Sequence, residues 1–173
     1  MASELDMVNP GDRPHRRRSI RLRGHDYSSP GSYCVTICTF DRQYLFGHIE
    51  DKTMILNAHG RIVADCWQWL GVQFEGIVLD ERVVMPNHLH GIIVRHGIGR
   101  PKPLGGLIGA FKTVTTKQIN QLRKTPGSLL WQRNYWEHII RDDVEMDSIR
   151  SYIANNPADW ATDDLNVVRK KRT

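Results

Sequence analysis

The chain has 173 residues, is 40% apolar and 25% charged, and carries a formal net charge of +5. This is one domain's length, enough to bury a core without disulfide support, and the balance argues against wholesale disorder. No run of about 18 apolar residues is present, which excludes a helical membrane span, and residues 1–11 lack the apolar segment of a secretory signal.

The charge is unevenly placed. Arg13, Arg16, Arg17, Arg18, Arg21 and Arg23 stand without an acid among residues 13–23, and Arg169, Lys170, Lys171 and Arg172 close the chain. Residues 24–168 hold 14 basic and 16 acidic residues, so the excess belongs to the two ends. Basic arms on a near-neutral body point to a polyanion, most often nucleic acid. A merely solubilising terminus is the plain alternative. Cys34, Cys38 and Cys66 form no CxxC pair. Neither a disulfide framework nor a zinc knuckle is expected, and a cytoplasmic protein with reduced thiols is the simplest expectation.

In chain order, residues 1–30 read as an extended basic arm. Ser32–Phe40 is rich in β-branched and aromatic residues and reads as a strand. In Ala58–Phe74, Ile62, Val63, Cys66, Trp67, Leu70 and Phe74 share a helical face, with Asn57 at the N-cap position. Gly76–Met85 reads as a strand with a kink at its acidic centre. Pro86-Asn87 interrupts, and His88–Arg95 is the next strand. Gly97–Gly106 reads as a flexible loop, Leu107–Leu122 as a helix, and Leu129–Ile140 as a strand. Asp143 to about Asn155 reads as a helix ended by Asn156-Pro157. The order β-α-β-β-α-β, followed by a helix, is that of an α+β, ferredoxin-like split βαβ fold with helices on one face of an antiparallel sheet. The expected organisation is an arm over 1–30, one domain over 31–160 and a basic tail over 161–173.

His88 and His90 are two apart on a strand, so both project to one face, about 7 Å apart at the Cα atoms from a rise of ~3.3 Å per residue. Two imidazoles there can converge on one metal ion. Two exposed histidines on a polar face is the alternative reading, but Val83, Val84 and Met85 precede them and Ile92, Ile93 and Val94 follow, which places the pair in a sheet core. Tyr152 and Asn156 are four apart, which on a helix offers a phenol and an amide oxygen from one face. A phenol with a pKa near ~10 is a weak nucleophile at neutral pH, and attack on phosphorus needs a metal or basic group beside it. A core tyrosine and a helix cap before Pro157 are the structural alternatives.

Together these segments have a familiar form. MPNHLHGIIV at 85–94 resembles the histidine–hydrophobic–histidine (HUH) motif of single-strand DNA endonucleases. WQRNYWEHIIR at 131–141 and SYIANNP at 151–157 resemble the single-tyrosine HUH transposases, most of all the REP-associated tyrosine transposases, as does residues 16–39. The resemblance implies a divalent ion, Mg or Mn, held by His88, His90 and Asn156, with Tyr152 as nucleophile. Tyr135 is a rival in the strand-like segment, and Glu137 and His138 belong to a WEH stretch that recurs in these proteins, with a role behind the site or a structural one both open. It further implies cleavage and rejoining of single-stranded DNA at hairpin-forming repeats through a 5′-phosphotyrosine, in a monomer or homodimer. Arg16, Arg17, Arg18, Arg21, Arg23, Arg169, Lys170, Lys171 and Arg172 would contact phosphates. The alternative is a non-catalytic nucleic-acid-binding protein on the same fold. A histidine-triad hydrolase would need a further His at position 92, where Ile92 stands. No His here has Ser or Thr two residues on, as paired-histidine phosphoesterases require.

Overall fold

A computed structural model describes residue 26 and residues 29–97 and 102–167. The arginines at 16–23 and the basic cluster at 169–172 lie outside these. Four antiparallel strands form the main sheet in the order β4-β5-β1-β6: β1 (Gly31–Cys38), β4 (Ile77–Met85), β5 (His88–Arg95) and β6 (Trp136–Ile140). This is the expected ferredoxin-like arrangement. Strand β1 is central, and its residues 33–37, which alternate between the two faces of the sheet, are buried because both faces are covered.

One face is covered by α1 (Ala58–Gln73) and α2 (Leu104–Leu122). The Asn57 side chain caps α1 by accepting from the Gly60 N–H at 3.0 Å. Val63, Cys66, Trp67 and Leu70 then face Tyr33, Val35, Ile37, Leu89 and Ile93 of the sheet. Gly91 is required here, because a β-carbon would collide with the Trp67 ring lying over it. Phe111 of α2 meets Trp67 edge-on at 5.5 Å, and Trp131 closes the cluster against Phe46 and Phe111.

Helix α3 (Asp143–Asp159) lies across the opposite face. Asp142 caps it by accepting from the Glu145 N–H at 2.8 Å. Ile153 packs with Cys34, Ile92 and Ile140 in a second, smaller core. The acidic centre of β4 is a bulge between Leu79 and Arg82. There Asp80 accepts two hydrogen bonds from Arg150 of α3, at 2.8 and 2.7 Å, which ties the helix to the sheet.

Four local expectations are corrected. A hairpin, β2 (Gly47–Glu50) and β3 (Thr53–Leu56), stands apart from the main sheet. Its two-residue turn places Asp51 and Lys52 at φ 46° and 61°, where glycine or asparagine would signal it. The strand expected from Leu129 begins only at Trp136; before it, Trp131 makes a single antiparallel bridge to Thr39, and Leu130 and Trp131 are buried by packing on the main core. Helix α2 begins at Leu104, so Gly105 and Gly106 are helical and not loop. Helix α3 continues through Pro157 to Asp159. Proline there forfeits one hydrogen bond in the last turn, and the chain passes on into a 3-10 turn at Trp160–Thr162.

Candidate functional site

His88 and His90 project from β5 onto the α3 face, with ring centroids 4.5 Å apart. Both are buried. Burial, reinforced by the neighbouring His90, holds His88 well below the usual histidine range, and burial pushes His90 down to about 4. Both rings are therefore neutral at pH 7, the form in which imidazole ligates a metal.

Hydrogen bonds fix which nitrogen of His88 is free. Asn87 Nδ2 donates to the carbonyls of Leu165 (2.8 Å) and Arg42 (3.3 Å). Its Oδ1 must then be the acceptor facing His88 Nδ1 at 2.8 Å. His88 thus carries its proton on Nδ1 and turns a lone pair on Nε2 inward. That Nε2 is buried and has no hydrogen-bond partner among the described residues. His90 is held likewise through Nδ1, 2.8 Å from Thr36 Oγ1, and turns its Nε2 to within 3.5 Å of Tyr152 Oη.

Tyr152 comes from α3 and sets its ring 5.4 Å from that of His90. It is half exposed. Burial of its remainder and the nearby Asp163 carboxylate raise its pKa, so the phenol is protonated at neutral pH. Asn156, one turn further, is buried, and its Oδ1 has no hydrogen-bond partner among the described residues. Its Nδ2 donates to Asp163 Oδ2 at 3.2 Å.

Asp163 is the residue that sequence reasoning missed. Ligand atoms of His88, His90 and Asp163 lie within 4.8 Å of one another. The carboxylate is positioned from both sides, since Oδ1 accepts from the Leu165 N–H at 2.6 Å. Its segment is strapped down by Asn87 to the Leu165 carbonyl, by Tyr44 Oη donating to Asn166 Oδ1 at 2.6 Å, and by Asn166 Nδ2 donating to the Trp160 carbonyl. Residues 161–167 are thus part of the folded body. Buried polar atoms are almost always partnered. Two bare lone pairs, on His88 Nε2 and Asn156 Oδ1, beside a carboxylate fit a divalent cation bound by nitrogen and oxygen.

The other expected residues stand apart from this centre. Glu137 pairs with Val35 in the ladder and projects to the α1/α2 face. His138 is on the α3 face, but its Nε2 meets Glu145 Oε1 at 2.7 Å and its ring lies parallel to Trp136. Tyr135 packs on the main core, with Lys112 Nζ 5.6 Å above its ring.

No family model matches the chain. It is 39% identical over 172 residues to an uncharacterized protein of Haemophilus influenzae, which covers 88% of this chain and 94% of that one. It is 27% identical over 142 residues to a protein of the same organism named "Putative REP-associated tyrosine transposase", covering 76% and 73%. Among solved structures it matches a REP-associated tyrosine transposase bound to a REP hairpin, with a TM-score of 0.61 and 18% identity, over 81% of this chain and 74% of that one. A "putative transposase" of Deinococcus radiodurans R1 matches with a TM-score of 0.50 and 18% identity, over 78% and 97%.

Proposed function

We infer, for a chain that belongs to one family with the uncharacterized Haemophilus protein and resembles the REP-associated tyrosine transposases in sequence and fold, a metal-dependent cleavage and rejoining of single-stranded DNA. The single observation that carries this reading is the approach of Tyr152 Oη to His90 Nε2, at 3.5 Å, beside the unpartnered Nε2 of His88. A protein that only bound DNA would have no need of that convergence.

His88, His90 and Asp163, with Asn156 Oδ1, would hold the cation, Mg or Mn. Bound there, it supplies positive charge against the scissile phosphate. The chain's own residues do the rest. Asn87 and Thr36 hold the imidazoles by Nδ1, so that neither ring turns. Helix α3, anchored through Arg150 to Asp80, presents the phenol from above. Tyr152 Oη forms a bond to phosphorus as the bond from phosphorus to the 3′ oxygen breaks. The phenolic proton passes to solvent, which reaches the half-exposed tyrosine, and the departing oxygen takes a proton to become a free 3′-OH. The product is a 5′-phosphotyrosine, and attack by a 3′-OH reverses the step. The substrate is a hairpin-forming repeat. The basic residues at 16–23 and 169–172 add phosphate contacts that are sensitive to salt.

The test is a panel of end-labelled single-stranded hairpins with differing 5′ flanks, incubated with and without Mn and resolved by denaturing electrophoresis. Wild type should form a Mn-dependent covalent adduct that Tyr152→Phe lacks while still binding the hairpin. Equal adduct from both proteins would remove Tyr152 from this role.

A further inference from the structure

Helix α3 packs most closely on β4, with Ile153 reaching Cys34, Ile92 and Ile140, and beside these contacts part of the β1–β6 half of the face is hollow. The hollow is a cavity of about 740 Å³ that begins at His90 and Tyr152. Its size falls in the range of small-ligand sites, ~300–1,000 Å³. It exists because the side chains with which β1 floors it, Cys34, Thr36 and Cys38, are too short to fill it. Glu145, Ser148, Ile149 and Tyr152, one face of α3, form a wall.

The opposite wall carries Trp136, which is 52% exposed. An indole left open beside a cavity offers a face on which another ring can stack. Its ring lies within 7° of parallel to His138, and His138 is fixed by Glu145, which also accepts from the Arg141 N–H. The ring is therefore a braced platform. Its position relative to the centre is set by the ladder. Trp136, Thr36 and His90 are register partners in one row across β6, β1 and β5. Two strand spacings separate Trp136 from His90, roughly 10 Å at the Cα atoms. At the rim, Gln132 and Asn134 offer amides, which both donate and accept. Their segment is itself held by Lys112 Nζ, which donates to the carbonyls of Gln132, Arg133 and Asn134.

An aromatic platform, amide edges and a cavity opening beside a phosphate-attacking group fit one ligand chemistry, an unstacked nucleobase. We propose that this cavity receives the unpaired base next to the phosphate that Tyr152 attacks, stacked on Trp136. The proposal rests on the single-strand cleavage reading above.

Two arms test it on the full chain. In the first, a fluorescent dT octamer and an abasic octamer with the same phosphates are titrated against wild type, Trp136→Ala and Trp136→Phe. Wild type should bind dT more tightly. Trp136→Ala should lose about 5- to 150-fold for dT, the worth of one stacked base, and nothing for the abasic strand. Trp136→Phe should restore most of the loss. Equal weakening for both strands, or none for either, overturns the proposal. In the second arm, single abasic sites are walked along a hairpin that forms the adduct. The position that slows wild type but leaves Trp136→Ala no slower than before should adjoin the cleaved phosphate. A distant position overturns the placement. If wild type forms no adduct on any hairpin, the cleavage reading fails, while the first arm still decides whether a base stacks on Trp136.

Discussion

On the α1/α2 side of the sheet, Trp67 lies over Gly91, Phe111 meets it edge-on, and Val35, Leu89 and Ile93 are sealed beneath. On the α3 side, the neighbouring residues of the same strands are Thr36, His88 and His90, and the apolar contact shrinks to Cys34, Ile92, Ile140 and Ile153. One residue's step along β5 passes from Leu89 in the dry core to a histidine held by hydrogen bonds. The first face is ordered by packing, which is tolerant of chemistry but not of volume. The second is ordered by hydrogen bonds, each of which fixes a lone pair or a proton. Stability and function should therefore be separable by face.

The largest effect should come from the packed face. Trp67→Ala empties a fully buried site above Gly91, and losses of about 3–5 kcal/mol are usual for such truncations. Thermal melts should show it. Calorimetric Mn affinity of the protein that remains folded should be unchanged, and a matching fall in affinity would mean that the faces are coupled.

A second effect belongs to the hydrogen-bonded face. His88 and His90 have folded pKa values depressed by burial, His90 to about 4. Between that value and the unfolded ~6.5, the unfolded chain binds more protons than the folded one, so stability rises with pH. Stability held above pH ~6.5 should thus be lost as pH falls toward 4. Urea midpoints measured in chelator should decline across that window. His88→Leu with His90→Leu should flatten the decline, and an unchanged slope in that double variant would show that other groups carry it.

The packed face was legible in the sequence and the other only partly so. The β-branched and aromatic density of β1 and the 3.6-residue spacing of Val63, Cys66, Trp67 and Leu70 are local patterns, sustained over several steps or turns. The β2–β3 hairpin escaped because its strands are four residues each and its turn is Asp51-Lys52, which carries no glycine signal. His88, His90, Tyr152 and Asn156 could be named because each pair sits on one element, at spacing two or four. Asp163 could not, since it follows the end of α3 and reaches the histidines only through the strap of Tyr44, Asn87 and Asn166. Asn87 itself read only as a break between strands. The three hydrogen bonds of its side chain join residues 42, 88 and 165, a relation that no local period encodes.

Asn87 also gives the smallest and most discriminating effect. Asn87→Ala leaves Trp67 and its packing untouched, yet removes the acceptor at His88 Nδ1 and the donor to the Leu165 carbonyl. Without the acceptor, the His88 proton is free to move to Nε2, and that tautomer has no lone pair to offer inward. Without the donor, the segment bearing Asp163 loses one tether. Loss of such an outer partner costs metal affinity by about 10- to 100-fold. Calorimetry with Mn should find a fall of that size, and nitrogen-15 spectra of the metal-free protein should show His88 leaving its single Nδ1–H form. Trp67→Ala should leave that tautomer intact. If Asn87→Ala kept both the tautomer and the affinity, the α3 face would owe its order to packing after all, and the contrast between the two faces would not hold.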